Sequence, residues 1–171
     1  GWIVLLTFQG PTEITQIMRF IESGTLSVDW AIRVDRLTVI MLAAISSVTA
    51  LIQLYAMRYM AQDERFDEGE PSLARFSAYL SLMAFFAMVL VTCNNMVQLF
   101  AGWAGMGFAA YLLISFHYKR PSANAAALKA FIVGRIGEVA LLLAKAVLFA
   151  SVDSLRFDDV FAMAPELGMV Q

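Results

Sequence analysis

Between Phe76 and Tyr118 the chain runs for 43 residues without an Asp, Glu, Lys or Arg. A helix needs about 20 apolar residues to cross a hydrocarbon core about 30 Å thick, so this stretch has the length of two crossings. Its natural break is Asn94-Asn95. That break gives spans at Phe76 to Cys93 and at Met96 to Phe116, with Asn94 placed to cap the second. Leu37 to Met57 adds 21 more residues without a charge, closed by Tyr55, Arg58 and Tyr59 as an aromatic and basic belt at the interface. Asp35 stands where a cap for that helix belongs. Composition agrees with a membrane protein. Of 171 residues, 60% are apolar and 15% charged, against about 45–50% and about 25% in ordinary soluble domains.

The remaining stretches are more polar. Gly1 to Phe8 is apolar, too short to span, and lacks the basic start and cleavage site of a signal peptide, so it reads as the end of a truncated helix. Gln9 to Arg33 mixes Gly, Pro, Thr and charges, and Ile14, Ile17, Met18 and Ile21 fall on one side of a short interfacial helix. Ser27 to Val34 alternates enough for a strand or extended piece, with Trp30 suited to headgroup level. Gln62 to Arg75 is a polar loop with Gly69 and Pro71 as breakers. His117 to Ser122 makes a second polar turn. Beyond it a fourth span is expected over Ala125 to Ala150, capped by Ser122 or Asn124. After Ser151 the sequence becomes amphipathic, as for a surface helix stopping near Pro165.

The fourth apolar segment carries charge. Arg135 and Glu138 are three apart and share one helical face, and Lys145 follows two turns after Glu138 on the same side. Lys129 stands near the start. Ionisable groups inside a membrane cost roughly 2.5–3.5 kcal/mol each on insertion scales, so they persist where they are paired, buried or used. Two readings stay open: a proton relay, in which desolvation and a nearby cation compete over a carboxylate, and a structural ion pair locking the helix to its neighbours. Gly102, Gly105 and Gly107 form a smooth surface for close helix packing.

Other chemistries find no support. There is no Gly-rich phosphate loop, no metal-spaced Cys or His cluster and no Ser/His/Asp set. No cofactor is expected, whether nicotinamide, flavin or iron–sulfur cluster. His117 reads as an interfacial anchor. Cys93, the single cysteine, reads as a small buried hydrophobe. A net charge of -2 indicates no nucleic-acid face, and no small-molecule substrate site is seen.

The segment GWAGMGFAAYLLISFHYKRPSANAAALKAFIVGRIGE resembles the core of the antiporter-like subunit 5 (chain L) of respiratory NADH-quinone oxidoreductase, complex I. The family reads Gly-Trp-Glu-Gly-Val-Gly, then a Tyr-Leu-Leu-Ile turn, a basic Pro-containing loop, Lys-Ala-Phe and Arg-x-Gly-Asp. The resemblance extends more loosely from about Val28 to Phe157. It implies a membrane-arm subunit that couples quinone reduction elsewhere in the complex to ion transfer, with other membrane-arm subunits and the lipid bilayer as partners. It also implies residue roles. The family's ion-transfer glutamate falls at Ala104, its Arg-x-Gly-Asp at Arg135, Gly137 and Glu138, and an acid near the junction at Asn94. Lys145 stands where an uncharged residue is expected. The family's principal transfer lysine lies beyond Gln171, and the chain reads as a fragment of something longer.

The expectation is therefore an all-α polytopic membrane helix bundle with four complete spans and short interfacial helices. Residues 1–33 form a helix end and extramembrane loop, 34–157 the transmembrane helices of one antiporter-like domain, and 158–171 an amphipathic surface segment. Candidate proton-transfer residues are Glu138, Arg135 and Lys145, with Ala104 as an altered site. A membrane packing module without transport and a sodium/proton antiporter subunit are the competing functions. The expected location is the bacterial or mitochondrial inner membrane. Loops 62–75 and 117–122 are expected on the cytoplasmic or matrix side, by the balance of Lys and Arg.

Overall fold

The computed structural model describes residues 12–23, 26–61 and 72–167. The apolar start Gly1 to Phe8 and most of the loop Gln62 to Arg75 lie outside the described residues. Strand β1 (Glu13–Ser23) pairs antiparallel with β2 (Leu26–Val34) in a two-stranded sheet. Five helices follow: α1 (Arg36–Ala61), α2 (Ser72–Val91), α3 (Met96–Ile114), α4 (Pro121–Val152) and α5 (Phe157–Leu167). Helix α2 packs between α1 and α3, and α4 packs along α3.

Two corrections to the expected architecture follow. The interfacial helix at Ile14 to Ile21 is a strand, so the chain is not purely α-helical. Among the described residues, three helices and not four are long and apolar enough to cross a membrane: Arg36–Met60, Ser72–Val91 and Met96–Ile114. The fourth, α4, is the longest helix at 32 residues, but Lys129, Arg135, Glu138 and Lys145 are spaced so that every 18-residue stretch of it carries at least three charges. Length is sufficient there; the charges take α4 out of the helices that are apolar enough to cross by composition alone.

Local capping also differs in places. Asp35 caps α1 as expected, its Oδ1 accepting from the Thr38 backbone N–H at 2.8 Å. At α3 the cap is Asn95 and not Asn94, with Oδ1 accepting from Gln98 N at 2.8 Å. Helix α4 begins at Pro121 with Arg120 at the cap position and no side-chain cap bond. Pro121 needs none for itself, because it has no N–H to satisfy and its fixed φ suits the first helical position. Helix α5 ends at Leu167, two residues past Pro165.

The α2–α3 junction holds the polar ends together. Asn95 Nδ2 donates to the Asp29 carbonyl at 2.8 Å, and the fully buried Gln98 accepts from Ala31 N. Arg33 N donates to Thr92 O at 2.9 Å, and Met96 N to Leu155 O at 3.0 Å. Arg33 also reaches Asp158 at the start of α5, at 2.9 Å. These bonds seat the hairpin and α5 over one end of the helix layer, the end towards which the charged face of α4 runs.

Candidate functional site: the charged face of α4 against α3

Arg135 and Glu138 form an ion pair on α4, as their three-residue spacing requires. Glu138 is buried, and Arg135 is about one-third exposed. The guanidinium does more than pair. Its Nη2 donates to the Ala104 carbonyl on α3 at 3.4 Å, and its centre lies 4.4 Å from the centroid of the Phe131 ring one turn earlier. Glycine at 107 makes room for this arrangement. A Cβ there would sit 3.0 Å from Arg135 Nη2 and 3.4 Å from Glu138 Oε1. Position 104 and the ion pair are therefore neighbours across the α3–α4 interface.

Lys145 is separate from that pair. Its residue is buried, and its Nζ has no hydrogen-bond partner. Its contact is the Phe100 ring on α3, 4.5 Å from the ammonium to the centroid. Seven residues separate Lys145 from Glu138, about 10 Å along the helix axis. The stripe thus has two stations: a carboxylate with its cation near Ala104, and a lone amine over an aromatic ring nearer the hairpin end. Lys129 is exposed on the first turns of α4 and joins neither.

Sequence reasoning missed both aromatic partners. Phe131 had a signal, since it lies four residues before Arg135 and shares its face. Phe100 had none, because only the packing of α3 on α4 brings it to Lys145. Cys93 is buried, as expected. Among the described residues no group of three His, Cys, Asp or Glu side chains could hold a metal ion.

Comparison with known proteins covers this whole site. Residues 20–77 match the family described as NADH-ubiquinone oxidoreductase (complex I), chain 5 N-terminus. Residues 93–171 match NADH:quinone oxidoreductase/Mrp antiporter, TM. NADH-quinone oxidoreductase subunit L of Rhodobacter capsulatus is 48% identical over 171 residues, 100% of this chain and 24% of the relative. The chain belongs to the antiporter-like subunit 5 (chain L) family of complex I. Other members of the subunit 5 family agree. Subunit L of Rickettsia bellii is 40% identical over 90% of this chain and 23% of the relative. NADH-ubiquinone oxidoreductase chain 5 of Phytophthora infestans is 42% identical over 87% of this chain and 21% of the relative. The chain spans about a quarter of the length of these curated relatives. Ala104, Arg135, Glu138 and Lys145 all fall within residues 93–171, the match to NADH:quinone oxidoreductase/Mrp antiporter, TM.

Proposed function

We propose that this chain is an antiporter-like segment of the membrane arm of an NADH-quinone oxidoreductase, where ion transfer is coupled to quinone reduction elsewhere in the complex. The observation that carries the reading is the Arg135–Glu138 pair seated against the Ala104 carbonyl, inside the part of the chain that matches the family. A relay needs a carboxylate that can exist in both protonation states. Glu138 is buried beside one cation, with Lys145 two turns away, and no carboxylate stands at position 104 to share the charge. With no carboxylate at position 104 to take part in a relay, transfer through this segment is expected to be weak in this chain. The partners are the other membrane-arm subunits and the bilayer, in a bacterial or mitochondrial inner membrane. The electron carriers belong to other chains of the complex.

The experiment is pH-gradient formation in vesicles that hold the complete assembly, comparing the native chain with Ala104→Glu. Partial recovery in Ala104→Glu is expected. Full pumping by the native chain, unchanged by the substitution, would remove Ala104 and the α4 stripe from the route.

One observation favours a second reading, a packing module without transport. Arg135 is held at three points, by Glu138, the Ala104 carbonyl and the Phe131 ring. Such a lock needs no titration. If it is only a lock, replacing Glu138 and Lys145 together by apolar residues leaves both assembly and the gradient intact.

A further inference from the structure

The α2–α3 junction contains a buried acceptor with nothing to accept from. Asn94 is 5% exposed, and its Oδ1 has no hydrogen-bond partner among the described residues. In folded proteins the large majority of buried side-chain polar atoms are satisfied, by protein or by ordered water. Its neighbours are otherwise engaged. Asn95 spends Oδ1 on Gln98 N and Nδ2 on the Asp29 carbonyl, and Gln16 Nε2 donates to Asp29 Oδ2 at 3.1 Å.

Asn94 lines a cavity of about 10 Å³, bounded also by Gln16, Asp29, Ala31, Asn95 and Arg156. That is the least volume that admits the centre of one water, about 10–15 Å³, and a buried water also needs two to four polar partners. The residues of the wall carry such groups: the Asn94 amide oxygen and the Asp29 carboxylate as acceptors, and Arg156 as donor. A bare monovalent cation suits the two oxygens but not Arg156, the one cationic residue in the wall. We propose that this cavity is a binding site for one ordered water, which donates to Asn94 Oδ1 and joins β2, the α2–α3 junction and the start of α5.

The role follows from where the wall comes from. Gln16, Asp29 and Ala31 are on the hairpin, Asn94 and Asn95 on the junction, and Arg156 immediately before α5. One water bonded to Asn94, Asp29 and Arg156 ties the junction, the hairpin and the start of α5 together, so it fixes how the hairpin sits on the helix layer. This inference does not depend on whether α4 transfers ions.

The test is a cryo-EM map of the assembled complex at a resolution that shows ordered water, prepared once in sodium buffer and once with choline as the added cation. One peak at hydrogen-bond distance from Asn94 Oδ1 is expected in both, and its loss in Asn94→Leu. Absence of the peak overturns the proposal, as does the Arg156 guanidinium bonding Asn94 Oδ1 directly. A peak seen only in sodium would make this a cation site instead. A peak that survives Asn94→Leu would show that the amide does not hold the water. If Asn94→Leu does not assemble, the two maps of the native chain decide.

Discussion

The Lys145 ammonium lies 4.5 Å from the centre of the Phe100 ring, buried and without a hydrogen-bond partner. A desolvated cation–π contact returns about 2 kcal/mol, while burying an ion costs several kcal/mol even after relaxation. The ring does not cover the cost. Lys145→Met keeps the apolar stem and removes the charge, so the thermal midpoint of the assembled complex should hold or rise. A clear fall would show that Lys145 has an ionic partner elsewhere in the complex. Asp35 is the opposite case, a charge the local fold favours. The Thr38 backbone N–H holds its carboxyl below the usual range, partly opposed by burial and helped by Arg33. Because the folded value is depressed, the stabilisation is complete above the unfolded value and is lost as pH falls through the folded one. Asp35→Asn keeps a cap and removes that titration. Unfolding midpoints measured against pH should therefore begin to converge for the two chains as pH falls below about 4 and meet only below the depressed folded value, and Asp35→Ala should cost about 1 kcal/mol at neutral pH. At this scale the Arg135–Glu138 pair and the Asp35 cap were legible because both are set by local spacing. Phe100 under Lys145 was not, because two helices must pack before it exists.

Helices α2 and α3 approach each other through glycine. A Cβ on Gly102 would lie 2.8 Å from the backbone N and Cα of Leu90, which cannot swing aside. At Gly105 a Cβ would fall on the Phe86 ring, a side chain with some freedom. Gly102→Ala should therefore destabilise the assembly by about 1–3 kcal/mol, the usual cost of overpacking, read as a lowered thermal midpoint. An unchanged midpoint would mean that α2 and α3 can separate at Leu90 without loss. The glycine pattern was readable as a packing surface, though not that Gly107 faces α4. Ser27 to Val34 was read as a strand or extended piece and is one, within β2, whereas the first strand, β1, was misread for a physical reason. Its register slips between Gln16 and Met18 and again between Arg19 and Ile21. Each irregularity inserts a residue and breaks the two-residue alternation that marks a strand. What was left, Ile14, Ile17, Met18 and Ile21, has the spacing of a helix. Helix α4 was misread otherwise: its existence and its charges were plain, but it was counted as a complete span although those charges leave it short of the apolar composition of the other three.

For the whole molecule, α2 and α3 set the expected topology, and α4 runs from the 117–122 turn back to the α2–α3 junction. If α2 and α3 both cross, the chain enters and leaves that pair on one side, because each crossing reverses it. The loop 62–75 and the turn 117–122 then share a face, and the hairpin with the start of α5 lies at the other, where both are bonded to the α2–α3 junction. Charge leans the same way. Arg58, Arg65, Arg75, Lys119 and Arg120 flank the first face, against Arg19, Arg33, Arg36 and Arg156 on the second, so the first is expected on the cytoplasmic or matrix side. The chain is well suited to the measurement, since its single cysteine, Cys93, is buried. Gln62→Cys, Ser122→Cys and Gln16→Cys, each made alone in the assembled complex, are to be labelled with a membrane-impermeant maleimide from either face of oriented vesicles. The first two should react from the cytoplasmic or matrix face and the third from the opposite one. If Gln62→Cys and Ser122→Cys react from opposite faces, α2 and α3 do not form two crossings, and the shared face is wrong. If all three react as grouped but from the reversed sides, the crossings stand and the five-to-four charge balance is too small to set orientation.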